Sequence, residues 1–403
     1  MAQQQPTQEE LRAMQNFQNQ RFMALSYSQP IKANNENGDH YQQGRTIMYA
    51  APTVVGAYAH EIEIRHKLKV NWDGQGTVET NAAYPYSLVN NITVNFGNKQ
   101  ISVHPYIPAK VDAYLEGYAR VEADKAHNFV HDSISNLLHK FPTTLVAGDN
   151  DVVFSTVLPL NSLHPSSVNG LLPIWSPSTK LQVALTLPSA VVGKDPLDNV
   201  FNAQGGQITV EGTIEVVVHY RDYVSMADAT QALEPNLNGL PTVQTIQIPS
   251  ITNLGAGVFN YAAFKNPYKF AKIYHVIIDG KSSKEFADPA NITGYSIDKA
   301  ENSNSSFVRY ADEVGMAAHY REVRGRFGTD LPGGVVVFDA TTANIANVSS
   351  KMGSAYLNLD GSKGGYTAAR FGFKIDEVGT GTGITPRILS WGIILNDEGI
   401  KAL

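Results

Sequence analysis

The chain has 403 residues, 31 basic against 37 acidic side chains, a net charge of −6 and no cysteine. Disulfides and thiolate metal sites are therefore excluded, and the interspersed charges, with no basic block of five, argue against a nucleic-acid surface built on phosphate contacts. Length favours two or three domains, the hydrophobic fraction of 43% is ordinary for a globular protein, and there is neither an apolar signal core after Met1 nor a membrane-length apolar run.

Thr7, with Glu10 three residues on, forms a capping box. Leu11, Met14, Phe17, Arg21 and Leu25 follow at helical spacing, which predicts an amphipathic helix over residues 7–25, ending before Pro30. Such a helix either packs on its own subunit or docks on a partner or near a membrane; its few cations argue against strong lipid binding. Residues 31–56 read as a polar loop. From His60 to Trp72 apolar and charged residues alternate, giving a long strand with one buried and one charged face. Ile92–Phe96 and Ile101–Val103 then form a hairpin across Gly97-Asn98. A helical insertion is predicted at Val111–Glu116 and Val130–Phe141. Strands resume at Val152–Leu158, Leu181–Leu187 and 207–223, and their wide spacing suits a Greek-key sandwich.

Residues 226–241 lose the strand period and read as a linker. The predicted strands after it are Thr245–Ile248, Phe270–Ile278 closing at Asp279-Gly280, and Thr293–Ile297. A helix is predicted from about Phe307 to Arg324, then the Leu331-Pro332-Gly333-Gly334 break and the strand Val335–Phe338. Ala355–Leu359, Ala369–Ile375 and Arg387–Leu395 complete the set. The runs Val152-Val153-Phe154 and Val336-Val337-Phe338 each follow a predicted helix and a break. One β-rich plan, interrupted by a helical insertion, is therefore used twice.

Chemistry-bearing motifs are scarce. Gly379-Thr380-Gly381-Thr382-Gly383 is followed by a strand rather than a helix, so it reads as a loop tip and not a phosphate cradle. His60 and His66 fall on one strand face about 20 Å apart at the usual rise, too far to share a metal. Asp149-Asn150-Asp151 and Asp360-Gly361 lack calcium-loop spacing and read as turns. Glu61 and Glu63 point outward as solvated strand residues. The tripeptides at Asn91, Asn291, Asn304 and Asn347 read as turn chemistry. No catalytic, cofactor-binding or metal residue is assigned, and no enzyme activity is expected.

The run Arg321, Arg324 and Arg326, then Thr329-Asp330-Leu331-Pro332-Gly333-Gly334-Val335, resembles a stretch of the double-jelly-roll major capsid proteins of tectiviruses, tailless bacteriophages with a membrane beneath an icosahedral shell. Leu331 stands where that family carries an aromatic residue. The Gln-rich N-terminal helix, Asp151–Leu160 with its Leu158-Pro159-Leu160 ending, Lys180–Leu187 and Ile208–Tyr223 are similar in order and length. The resemblance implies an all-β chain of two eight-stranded jelly rolls with an N-terminal helix and helical insertions. It further implies a homotrimer forming a pseudo-hexagonal capsomer, tiled in a virion made in the host cytoplasm. Neighbouring capsomers, penton and minor capsid proteins and an internal membrane near the N-terminal helix would be its partners, with no direct nucleic-acid contact. The expected division is an arm at 1–50, a first roll at 51–225, the linker at 226–241 and a second roll at 242–403. Candidate assembly residues are Leu11, Met14 and Phe17 on the first helix, and Arg321, Arg324 and Arg326. The 19 tyrosines and 3 tryptophans motivate an alternative, a carbohydrate-binding or carbohydrate-cleaving β-sandwich.

Overall fold

Thr7 starts the first helix, α1 (Gln8–Leu25), as its sequence dictates: the Glu10 N–H donates to Thr7 Oγ1, and the Thr7 N–H donates back to the Glu10 carboxylate at 2.8 Å. In this computed structural model the described residues are 7–35, 38–97, 99–103, 140–160, 171–175, 180–223, 243–264, 269–299, 302–327, 330–339, 357–358 and 369–395. Of the predicted helical insertion, residues 111–116 and 130–139 lie outside them, as do the linker at 226–241, the Asp360 turn and Asn347. The insertion's last residues, Lys140 and Phe141, are not helical, and Lys140 bridges to Val153.

The first half supplies β1 (Ser26–Lys32), β2 (Thr46–Ala50), β3 (Tyr58–Trp72), β4 (Thr77–Thr80), β5 (Asn91–Phe96), β6 (Lys99–Val103), β7 (Gly148–Pro159), β8 (Leu172–Pro173), β9 (Leu181–Thr186), β10 (Phe201–Gln204) and β11 (Ile208–Tyr223). The second supplies β12 (Val243–Thr252), β13 (Phe259–Phe264), β14 (Lys269–Ile278), β15 (Ile292–Lys299), β16 (Asn302–Tyr310), helix α2 (Glu313–Phe327), β17 (Val335–Asp339), β18 (Leu357–Asn358), β19 (Ala369–Ile375) and β20 (Arg387–Leu395).

The sheet orders show the duplication. In the first half they are β1-β11-β3-β7 and β2-β9-β5-β6; in the second, β12-β20-β14-β17 and β13-β19-β15-β16. Setting aside the short β4–β10 pair and the flanking β8 and β18, each half has eight strands. In both, the first, eighth, third and sixth form one sheet, and the second, seventh, fourth and fifth form the other. That alternation of the chain between two facing sheets is a jelly roll. Even the extra strands match, since β8 pairs with the start of β3 and β18 with the start of β14. The two Val-Val-Phe runs lie on β7 and β17, the sixth strand of each roll. The chain is a double jelly roll.

Each roll has its own core. Ile62, Ile64, Leu68, Phe154, Ile214 and Val216 meet Tyr49, Ile92, Val94 and Leu185 in the first; Phe270, Ile273, Ile277, Val336 and Ile388 meet Tyr295, Ile297, Phe371 and Phe373 in the second. Fully burying one such side chain contributes about 1.5–3 kcal/mol.

Two expectations are corrected. Residues 31–56 are not merely a loop, because β1 pairs with β11 and β2 with β9. β1 is an edge strand, largely exposed, so its residues need not alternate, and an edge tolerates Pro30. The predicted helix from Phe307 starts later: Phe307–Tyr310 belong to β16, which ladders onto β15 (Val308 opposite Ile297, Tyr310 opposite Tyr295). The helix begins after Asp312, whose carboxylate accepts from the Gly315 N–H at 2.8 Å. The Pro-Gly-Gly break is as expected. Gly334 has φ +72°, and a Cβ there would lie 2.3 Å from Phe286 Cβ, so only glycine fits.

Candidate assembly surfaces

The second roll's sheet β12-β20-β14-β17 is apolar on both faces. On β14, Ile273 and Ile277 face the core, while Tyr274, Val276 and Ile278 face away from it. Val335, Val337, Trp391 and Ile393 extend that outer face, and Ala83 and Leu197 of the first roll are fully buried against it. Two first-roll loops deliver these residues, one between β4 and β5 and the other between β9 and β10. Asn81 ties the loops together, its Nδ2 donating to the carbonyls of Gly193, Asp195 and Asn199. Asp195 accepts the Leu197 N–H at 3.0 Å, which fixes the turn that presents Leu197.

The rim of this seam is polar. Arg387 at the start of β20 grips Asp195 through both terminal nitrogens at 2.7 Å, the planar bidentate geometry that makes such pairs strong. Burial pushes the Asp195 carboxyl up, but the Arg387 and backbone hydrogen bonds outweigh it and hold the carboxyl below its ordinary value. Lys284 pairs with Glu79 at 2.6 Å, and the Ala82 N–H donates to the Ser283 carbonyl at 2.9 Å. The seam joins the rolls as a domain interior would.

The equivalent outer face of the first roll is charged. Lys32 pairs with Asp39 at 2.7 Å and Glu215 at 3.2 Å, and Lys67 lies 3.5 Å from Glu215. Farther along, Arg65 holds both oxygens of Glu63 at 2.8 Å, His219 Nε2 lies 2.9 Å from the same carboxylate, and Ser155 donates to it at 3.2 Å. Glu63 is therefore not the solvated strand residue expected; it is 8% exposed. Burial raises its pKa, but the His219 and Arg65 hydrogen bonds prevail and bring the carboxyl down to about 2.

His60 and His66 do not share a face. A register shift at His219/Tyr220 leaves His60 unpaired on β11, and its Nε2 reaches Ser28 Oγ at 2.8 Å. Burial, then Arg221 and His219, lower the His60 pKa to about 4. His66 is core, stacked on Phe154 at a ring separation of 4.0 Å. The second roll also buries a histidine on its central strand: His275 Nδ1 is 2.7 Å from Ser390 Oγ, and its Nε2 is 3.1 Å from Tyr295 Oη.

No protein-family model matches the chain, and no curated protein matches it. Solved structures do match. The MCP of STIV, Sulfolobus Turreted Icosahedral Virus, aligns over 94% of this chain and 98% of its own, with a TM-score of 0.59 and 11% identity. VP54 of PBCV-1 aligns over 91% and 93%, with a TM-score of 0.57 and 10% identity. The Faustovirus major capsid protein aligns over 96% and 98%, with a TM-score of 0.53 and 6% identity. The shared fold runs the length of the chain.

The sequence-predicted residues fall at two places. Met14 and Phe17 on α1 are 54% and 66% exposed, while Phe22 in the last turns is buried edge-on against Tyr58. The helix is thus anchored at its C-terminal end and presents apolar side chains along its length. Leu11 lies on the same helix, with its side chain outside the described residues. Arg321 and Arg324 are exposed on α2, and Arg324 Nε lies 3.6 Å from Asp330; the Arg326 side chain is outside the described residues. The Gly379–Gly383 run is a loop into β20, its Thr382 hydroxyl donating to the Gly280 carbonyl at 2.6 Å. Residues 149–151 are not a turn but the start of β7, paired with residues 69–71, although the Asn150 amide closes the preceding Val146–Gly148 turn. Asn91 and Asn304 likewise lie in strands, β5 and β16. Asn291 is turn chemistry, as expected, and ties Asp279 to Glu377. Sequence reasoning missed Asp195, Leu197 and Arg387, since residues this far apart give no local sign of pairing.

Proposed function

We propose that this chain is a viral major capsid protein that self-assembles as a homotrimer. Its six rolls make a pseudo-hexagonal capsomer, and capsomers tile an icosahedral shell over an internal membrane, as in tectivirus-like bacteriophages. The role is architectural and non-enzymatic. The observation that carries this reading is two jelly rolls of identical strand order, locked by an apolar seam, in a chain that aligns end to end with viral capsid subunits. Neighbouring capsomers, penton and minor capsid proteins are the partners, the virion is the location, and synthesis is in the host cytoplasm. The structural matches do not favour the carbohydrate-active alternative.

In this reading Leu11, Met14 and Phe17 form the contact of α1 with neighbouring capsomers or the membrane, while Arg321, Arg324 and Arg326 meet adjacent subunits. Size-exclusion chromatography with light scattering, followed by electron microscopy, tests it. A trimer with a hexagonal outline is expected, and a stable monomer at micromolar concentration refutes the trimer. Removing residues 1–20, which leaves Phe22 in place, is expected to keep the trimer soluble and block shell formation. Dissociation instead would make α1 an intersubunit clamp.

A further inference from the structure

At the α1 end of the first roll's outer face, a set of hydrogen-bond donors stands without acceptors. Ser28 on β1 lies opposite Arg221 on β11, which lies opposite Tyr58 on β3. Neighbours in such a row have Cβ atoms about 5 Å apart. Among the described residues the Arg221 side chain makes no ion pair and no hydrogen bond, although burial lowers its pKa. Ser26, two residues before Ser28 and so on the same face of β1, is 8% exposed, and its hydroxyl has no partner. His60 joins them where the ladder slips at His219/Tyr220. Its Nε2 is 2.8 Å from Ser28 Oγ, and its ring centre is 6.3 Å from that of His219.

A guanidinium taken from water without a carboxylate is costly, and so is a buried hydroxyl with nothing to bond. An incoming oxyanion relieves both. We propose that Ser26, Ser28, His60 and Arg221 form a binding site for a phosphate group. The planar fork of Arg221 matches two phosphate oxygens, and the two hydroxyls supply further donors. Burial, Arg221 and His219 lower the His60 pKa; an anion beside the ring favours its charged form, which also donates. The local charge suits an anion. Arg65, Arg221, His60 and His219 share this end of the face with two carboxylates. Glu63 is already held by Arg65, His219 and Ser155, and burial raises the pKa of Glu61, favouring its neutral form. Asp222 falls on the opposite face from Arg221, since strand neighbours alternate. β1 is an edge strand and Ser28 is exposed, so the site opens at the sheet edge. It also adjoins α1, whose Phe22 packs on Tyr58 in the same row and whose Met14 and Phe17 are exposed. The phosphate comes from solution or from a phospholipid headgroup beside that helix. The site itself does not depend on the capsid reading; only the lipid source does.

The test titrates the full chain with inorganic phosphate by calorimetry and, separately, sediments it with phosphatidylglycerol vesicles. Saturable phosphate binding is expected, weakened about tenfold or more in Arg221→Gln, since a charge-assisted hydrogen bond is lost, and more modestly in Ser26→Ala. Without phosphate, R221Q is expected to melt no lower than the wild type, because an unpaired charge has been removed. It is also expected to lose the rise in melting temperature that phosphate gives the wild type. The control Lys180→Gln, an exposed residue beside β9 with the same change of charge, is expected to bind both probes as the wild type does. Arg221-dependent binding of phosphate without Arg221-dependent vesicle capture supports the site and makes free phosphate its ligand; vesicle capture lost in R221Q supports it with the headgroup as ligand. Ser26→Ala, the smaller change, carries the test if R221Q does not fold. The site is overturned if the wild type binds neither probe, if the site variants bind both as the wild type does, or if K180Q loses as much as R221Q.

Discussion

The outer face of β14 carries Tyr274, Val276 and Ile278; the same face of its counterpart β3 carries Glu63, Arg65, Lys67 and Lys69. The strand order around them is identical, so topology does not account for the difference. What differs is the cover. A sheet packed on both faces needs apolar residues at every position, whereas one open to water on one side alternates. Two copies of one plan have thus diverged where one is enclosed within the chain and the other is not.

The sharpest way to break that comparison is to truncate matched positions. Trp391→Ala at the seam removes a nearly fully buried indole and is expected to cost about 3–5 kcal/mol in urea unfolding. Lys67→Ala on the open face is expected to change stability by less than about 0.5 kcal/mol. Equal effects would mean that the seam is no more than a surface contact. Next is Arg387→Ala, which strips Asp195 of its bidentate partner. The expected loss is about 2 kcal/mol, because hydrogen bonds to charged groups are worth more than neutral ones. Arg387→Lys recovers only part of it, since an ammonium cannot supply the planar fork.

The most specific effect, absent at neutral pH, concerns the two buried histidines. Burial lowers the pKa of His66 and of His275 to about 3, from an ordinary 6.5. Between those values the unfolded chain binds the extra proton and the folded chain does not. Stability is therefore full above pH 6.5 and falls as pH drops toward 3, by about 1.4 kcal/mol per pH unit for each histidine. His66→Phe is expected to remove one such slope. His275→Phe removes the other but also deprives Ser390 and Tyr295 of a hydrogen-bond partner, so it lowers stability at pH 7 as well. Urea midpoints from pH 7 to pH 4 check both, and an unchanged slope for both variants would show that these side chains are charged in the core.

Much of the fold is legible in the sequence because its signals are local. Thr7 and Glu10 mark the first helix; His60–Trp72 and Ile208–Tyr223 show the period of two; Ala369–Ile375 and Arg387–Leu395 match their strands to the residue. The edge strands β1, β13 and β16 were less legible, since their neighbours on one side alone define them. The seam left one readable trace. Ile273–Ile278 and Val335–Phe338 lack the alternation of β3, which marks a strand covered on both faces. Its partners Leu197 and Asp195 gave no such sign, because a loop's contacts depend on where the fold carries it.

One consequence follows from the place of the last strand in each roll. β11 lies between β1 and β3, with Tyr223 opposite Ser26, and β20 lies likewise between β12 and β14. As the chain leaves the ribosome, each roll therefore keeps a gap at its centre until its final strand is made. Closing it joins residues far apart in sequence, which makes it a slow step with open, sticky edges beforehand. Among the described residues no strand of one roll pairs with a strand of the other. The first barrel can thus shut before the second is synthesised, and its loops stand ready as the surface on which the second roll completes itself.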